Sequence, residues 1–220
     1  MGPALAALAV AGIAGATTVT CPAPPNGGVP ASISGLTIDC GGLTFSNFSV
    51  LAAAGFSGAI TPAVSLVTAQ VVDGTVFLGW NPNLSGAAGA QDIHFYYEVS
   101  GPTTSVDLTV GGVNATIGEK VCSSPISQSG PNQNACAPGT EQANIQAFSA
   151  PAAPQTATAA VSGSSFFVFK DIGVAQGGAL SSFAQGWTTA GAEVPEPAAM
   201  LLIGTGFIGL GMLRRRARRW

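Results

Sequence analysis

The sequence predicts an all-β protein, an antiparallel β-sandwich or jelly roll, set between an N-terminal signal helix and a C-terminal single transmembrane helix. Three observations predict it. In Gln91 to Val99, QDIHFYYEV, the residues Ile93, Phe95, Tyr97 and Val99 alternate with Asp92, His94, Tyr96 and Glu98, the period of two that gives a strand one dry and one wet face. The 30 glycines and 15 prolines punctuate the chain at short intervals, and no helical period of comparable length interrupts them. The two ends instead hold unbroken apolar runs of the kind that direct a chain to a membrane.

Taken in order, the first element is a signal peptide over residues 1–16. Ala4 to Ala14 is small and apolar throughout, and Ala14-Gly15-Ala16 forms a small-residue cleavage site with Ala14 and Ala16 at its two outer positions. No Lys or Arg precedes the run, which points to a start assigned too far downstream or to an atypical signal. Cys21 is not read as a lipidated cysteine, because Thr18, Val19 and Thr20 lack the Leu and small residue that such processing requires. An exported domain over 17–192 follows. Its strand candidates are Leu43 to Val50, Ala63 to Val72, Thr75 to Trp80, Gln91 to Val99, Ser105 to Val110, Ala143 to Phe148 and Ser165 to Asp171. Asp73-Gly74 between two of them is a hairpin turn. Cys122 to Gly139, rich in Ser, Pro, Asn and Gln, reads as a loop pinned by its own disulfide, and Ala150 to Ala160, APAAPQTATAA, as a long loop or linker.

Composition narrows the function. From Thr17 to Val194 nine acids face two bases, Lys120 and Lys170. A body so poor in cations cannot replace the counterions on phosphates, which excludes nucleic acid as a partner. Cys21, Cys40, Cys122 and Cys136 are an even number in a chain with export features, and no Cys-x-x-Cys pair suggests zinc. Three disulfide pairings are open; the local one closes loops of 19 and 14 residues between Cys21 and Cys40 and between Cys122 and Cys136, each contributing about 3 kcal/mol in the chain-entropy model.

No signature of catalysis, cofactor binding or metal binding emerges. The single histidine, His94, lies on the polar side of a strand without a triad pattern around it. Asp92 and Glu98 share that side but stand ~20 Å apart along a strand, too far for a paired acid and base. No loop gathers the carboxylates of a calcium site. The double glycines Gly27-Gly28, Gly41-Gly42 and Gly177-Gly178 read as turns rather than phosphate cradles. Asn47-Phe48-Ser49, Asn83-Leu84-Ser85 and Asn114-Ala115-Thr116 match the N-glycosylation pattern and are taken as chance. Trp80, Tyr96 and Trp187 are read as exposed aromatics that could stack on sugar faces, core packing and interface roles being the commoner explanation of such residues.

The C-terminus carries the most specific pattern. Pro195-Glu196-Pro197 is followed by Ala198 to Leu213, AAMLLIGTGFIGLGML, and then by Arg214, Arg215, Arg216, Arg218 and Arg219. As a helix the apolar run spans about 24 Å, slightly less than a ~30 Å hydrocarbon core, and the arginine stems can reach back to the lipid surface. Positive charge holds the arginines on the cytoplasmic side and leaves the body outside. This ordered arrangement over 193–220 resembles the PEP-CTERM sorting signal of exported Gram-negative bacterial proteins. The resemblance implies transient anchoring in the inner membrane, cleavage near Pro195-Glu196-Pro197 by an exosortase, and release to the cell surface or an extracellular polysaccharide.

The body resembles, more loosely, a recurrent ectodomain of PEP-CTERM proteins, through Cys40-Gly41-Gly42-Leu43-Thr44-Phe45-Ser46-Asn47-Phe48-Ser49, Asp92 to Val99, Lys170-Asp171-Ile172 and Ser181-Ser182-Phe183. That resemblance implies a β-rich exported domain and carries no catalytic residues. The expected function is therefore a non-enzymatic, structural or adhesive role in a surface layer, biofilm or matrix. The alternatives are a carbohydrate-binding module and a polysaccharide-acting matrix enzyme.

Overall fold

The structure, a computed structural model, describes residues 17–21, 31–33, 35–53, 64–129, 133–149 and 155–190. The signal peptide with Ala14 and Ala16, the motif Pro195-Glu196-Pro197, the apolar run and the arginine cluster lie outside the described residues.

The described chain is all-β apart from one short 3-10 turn. Its strands are β1 (Thr17–Thr20), β2 (Ala31–Ser32), β3 (Leu36–Cys40), β4 (Leu43–Ala52), β5 (Ser65–Val72), β6 (Thr75–Asn81), β7 (Leu84–Ser85), β8 (Gln91–Val110), β9 (Val113–Cys122), β10 (Glu141–Phe148), β11 (Gln155–Leu180) and β12 (Phe183–Thr189). All twelve belong to one hydrogen-bonded sheet that curls over a single buried cluster. One departure from the antiparallel expectation is β1, which pairs parallel to β3.

Two long strands, β8 and β11, create the curl. Residues 91–100 of β8 pair with β4 on one side and with 165–174 of β11 on the other; residues 103–110 pair with β12 and with 155–160 of β11. One half of the sheet therefore runs β1-β3-β4-β8-β11-β9-β10, and the other β11-β8-β12-β6-β5-β2. Both strands turn the corner at a glycine. Gly101 has φ 120° and Gly163 φ 152°, and the β8–β11 register shifts on either side of Gly163. Inward-facing positions slip by one there: β8 buries Ile93, Phe95, Tyr97 and Val99 before the corner and Val106, Leu108 and Val110 after it. A Cβ on Gly101 would sit 2.5 Å from the carbonyl oxygen of Gly42, so only glycine fits this crossing. The break in alternation is why the sequence predicts two strands where the chain forms one bent strand.

The halves face each other across an aromatic core. Trp187 on β12 meets Phe45 on β4 at 6.4 Å and Phe166 on β11 at 5.8 Å; Trp80 on β6 meets Phe48 at 5.4 Å and Phe95 at 5.2 Å. Rings of this size dominate burial, and such tilted and edge-on contacts suit their charge distribution.

Several local expectations hold. Asp73 and Gly74, with φ 48° and 74°, form the tight turn joining β5 and β6. The disulfides pair locally, Cys21 with Cys40 and Cys122 with Cys136. The linker expected at Ala150 to Ala160 is corrected in its described part. Gln155 to Ala160 is paired strand, with Ala157 and Ala159 packed on the core between exposed Thr156 and Thr158. The period of two is present, but alanine in the inward places disguises it as low-complexity sequence. The three glycosylation-like asparagines have a conformational explanation. Asn47, Asn83 and Asn114 all sit at φ between 48° and 55°, the left-handed region that asparagine tolerates better than other side-chain-bearing residues.

Candidate functional site

The outer face of the first half-sheet carries the one cluster of metal-ligating side chains among the described residues. Asp92 and His94 project from β8, and Asp171 projects from β11, where it pairs directly with His94. Across β11, Asp171 is flanked by Gly118 of β9, and the partner of Asp92 is Gly173. The side-chain-free positions leave room for the two carboxyls to lean together. One ligand atom from each of the three residues lies within 4.8 Å of the others, and His94 Nε2 stands 3.8 Å from Asp171 Oδ1.

The neighbours tune this cluster. Half-burial pushes the Asp92 carboxyl up to about 7; the negative charge of Asp171 and a hydrogen bond between the two carboxyls add to the rise. Asp92 Oδ1 is buried and unpartnered. Asp171 is 54% exposed, while only 14% of the His94 side chain reaches solvent, because its ring is sandwiched edge-on between Phe169 at 5.3 Å and Tyr96 at 6.4 Å. An imidazole nitrogen with two carboxylates can hold a divalent cation. Without one, the raised Asp92 carboxyl holds its proton below about pH 7.

A loop covers the next rung of the same face. The segment between Cys122 and Cys136 folds back over β8, where the Tyr96 hydroxyl donates to Asn134 Oδ1, Asn134 Nδ2 lies 3.4 Å from His94 Nδ1, and Lys120 Nζ donates to the Asn134 carbonyl at 3.2 Å. Ser49 Oγ donates to Gln128 at 3.4 Å. Between loop and sheet lies a cavity of about 110 Å³, lined by Asn47, Tyr96, Glu98, Ile126, Gln128 and Phe167.

This loop overturns one expectation. Tyr96, offered as an exposed aromatic, is 3% exposed because the loop lies on it. Trp80 and Trp187 are 0% exposed and belong to the core. None of the three presents a face to a sugar: Trp80 and Trp187 pack in the core, and Tyr96 lies beneath the loop on the outer face. Asp92 and Glu98 do not meet, as expected; the carboxyl partner of Asp92 is Asp171, which the sequence does not reveal because it lies on another strand. His94 is not the free surface residue that its strand position suggests.

A second polar group lies inside the core. Glu119 on β9, Lys170 on β11 and Gln185 on β12 are 1%, 0% and 0% exposed. Lys170 Nζ lies 2.5 Å from Glu119 Oε2 and also donates to Gln185 Oε1, while Gln185 Nε2 donates to Glu119 Oε1 at 3.3 Å. Burial raises the Glu119 carboxyl and lowers the Lys170 amine, each towards its neutral form. The sequence hints at it only through Lys170, which shares the parity of Phe166 and Val168 in the strand expected over Ser165 to Asp171; Glu119 lies on β9, a strand missing from the sequence's candidates.

Comparison with known proteins identifies the C-terminal segment. Residues 193–217 match the PEP-CTERM protein-sorting motif. Among curated proteins no sequence matches the chain. Comparison with solved structures finds, among others, TmCBM61 in complex with beta-1,4-galactotriose, at 15% identity and a TM-score of 0.37 over 64% of this chain and 88% of that chain. A CBM4 structure aligns at 15% identity and a TM-score of 0.27 over 63% of this chain and 81% of that chain.

Proposed function

We propose that the chain is an exported substrate of an exosortase, released from the inner membrane to serve as a structural or adhesive component of the cell surface or of an extracellular polysaccharide matrix. The observation that carries this reading is the sorting motif over residues 193–217, which contains Pro195-Glu196-Pro197 and the start of the arginine cluster. Prolines on both sides of Glu196 keep the motif out of a helix and favour an extended strip at the membrane surface, accessible to a membrane protease. The body suits the destination: it is acidic, nearly free of cations, and closed by two disulfides. Its role is non-enzymatic, with polysaccharide as the partner.

Mass spectrometry of inner-membrane, surface and culture-medium fractions tests the sorting. The expected result is a released chain lacking Arg214 to Arg219, and retention of the full chain when Pro195-Glu196-Pro197 is replaced by alanines. An intact protein that keeps its C-terminal arginines and stays in the inner membrane would sink the proposal.

The Asp92–Asp171 pair favours a second reading, a matrix enzyme, because a half-buried carboxyl raised to about 7, with a second, exposed carboxyl beside it, is the kind of group that serves as a general acid. It sits on an open sheet face with Asp171 more than half exposed, and enzymatic carboxyl pairs work where substrate is enclosed. Incubation of matrix polysaccharide with wild type and with Asp171→Asn separates the readings: the structural one expects no new reducing ends from either protein.

A further inference from the structure

We propose that Lys170 and Gln185 become joined by an intramolecular isopeptide bond, formed autocatalytically with Glu119 as the proton carrier. The proposal is independent of the sorting route and concerns the folded body alone.

The three side chains occupy the places such a reaction requires. Lys170 Nζ touches the Gln185 amide, so nucleophile and electrophile are already neighbours. Glu119 bridges them, with Oε2 at 2.5 Å from the amine and Oε1 at 3.3 Å from the amide nitrogen. One carboxyl thus contacts both the atom that must lose a proton and the atom that must gain one. All three groups are shut off from water, between the register neighbours Phe95, Ile145, Leu78 and Leu108, and Phe183 lies with its ring centroid 5.7 Å from Nζ.

This apolar setting bears on the protonation states. Burial lowers the Lys170 amine and raises the Glu119 carboxyl, each towards its neutral form. Neutral Lys170 has the lone pair that an ammonium lacks, and neutral Glu119 has a proton to give. Fixed proximity replaces the improbable encounter of two weak reactants in water.

The steps balance. The Nζ lone pair attacks Cδ of Gln185, and the carbonyl electron pair moves onto oxygen. In the tetrahedral intermediate Glu119 accepts one Nζ proton at Oε2 and gives its own proton from Oε1 to the amide nitrogen. The oxygen lone pair re-forms the carbonyl, the Cδ–Nε2 bond breaks, ammonia leaves, and Glu119 ends protonated as it began. Amine and primary amide have become a secondary amide and ammonia, with no oxidant and no cofactor.

The bond would have a definite mechanical place. β11 belongs to both halves of the sheet, and Lys170 lies in its first-half portion; β12 belongs to the second half and is the last described strand before the sorting segment. A Lys170–Gln185 link would cross the core between the halves and tie the C-terminal strand covalently to the longest strand.

Intact-mass measurement of the purified full chain, with disulfides reduced, tests the proposal. The expected mass is lower than the sequence mass by one ammonia, and fragmentation of a protease digest should yield a branched peptide joining Lys170 to Gln185. Glu119→Ala and Lys170→Met should each show the unmodified mass, with near-ultraviolet circular dichroism reporting whether they fold. Wild-type protein that is folded and carries its full mass overturns the proposal, whatever the variants do. So does loss of one water in a Lys170–Glu119 link, or loss of ammonia traced to a cyclised Asn instead of to Lys170. A Glu119→Ala protein that still forms the branched peptide overturns the role of Glu119.

Discussion

Removing the Cys122–Cys136 bridge separates loop entropy from what the loop holds down. The bridges close segments of 14 and 19 residues, and the chain-entropy relation assigns each about 3 kcal/mol, with a difference of only about 0.3 kcal/mol in favour of the longer. Cys122→Ala/Cys136→Ala should nevertheless cost more than Cys21→Ala/Cys40→Ala. The smaller loop carries Asn134, whose side chain and carbonyl contact Tyr96, His94 and Lys120, and each hydrogen bond lost from a part-buried group adds about 1 kcal/mol. With those three contacts the expected totals are about 6 kcal/mol against about 3 kcal/mol, read from urea unfolding midpoints at constant m. Hydrogen exchange supplies the local readout, because amides of β8 from 92 to 98 should lose protection only in the Cys122/Cys136 variant. Equal losses in the two variants, with β8 protection unchanged, would refute the view that this loop is a structural cover for the Asp92–His94–Asp171 face.

Three further outcomes follow from the same geometry. Asp92→Asn should flatten the pH dependence of stability: a folded-state carboxyl raised from 3.8 to about 7 contributes stability that is full below about pH 4 and is lost as pH rises to about 7, so the variant gains on wild type between about pH 4 and pH 7 in parallel urea titrations and keeps a constant advantage above that. Trp80 and Trp187, at 0% exposure, should resist quenching by acrylamide and keep their emission unchanged on adding oligosaccharide, while Trp187→Ala should lose about 3–5 kcal/mol by denaturant unfolding. Gly186→Ala should be destabilising by about 1–3 kcal/mol, since its Cβ would lie 1.9 Å from Asp107 Oδ2, and Asp107→Gly in the same chain should restore most of the loss, as measured by thermal unfolding.

The parts of the fold legible in the sequence are those whose cause is local. Alternation at Ile93 to Val99 and at Val106 to Val110 marks inward faces directly, and Asp73-Gly74 marks a turn that needs two residues at positive φ. The parts that were not legible depend on partners far away in the chain. Nothing near Tyr96 says that a loop beginning at Cys122 will cover it, and nothing near Asp92 says that Asp171 will stand beside it. The Thr156–Ala160 stretch hides its alternation because alanine is equally at home in a linker and on a crowded inner face. The aromatic residues offered for sugar stacking show the same limit, since alternation identifies two faces but cannot say that both will be covered.

Low charge density helps to explain why covalent closure matters in this body. With 8% charged residues, the chain has few means of building ion-pair networks, and among the described residues the one Lys–carboxylate pair is buried between Glu119 and Lys170. Such a pair is a poor source of stability as it stands, because desolvating two charges offsets their attraction. The same burial that makes it poor as a salt bridge makes it suitable for acyl transfer, by driving the amine and the acid towards their neutral forms beside an amide that both contact. A protein tethered through its C-terminus transmits any pull first to β12, whose hydrogen bonds to β6 and β8 would otherwise bear the load. Placing the reactive amide at Gln185, in a strand that ends at Thr189, would stop unravelling within β12 before the whole strand is released. That consequence is measurable by single-molecule pulling from residue 190: wild type should extend only up to the link, and Glu119→Ala should release all of β12 and the segment back to Lys170. Identical extension of the two proteins would mean that the strand is held by hydrogen bonds and packing alone.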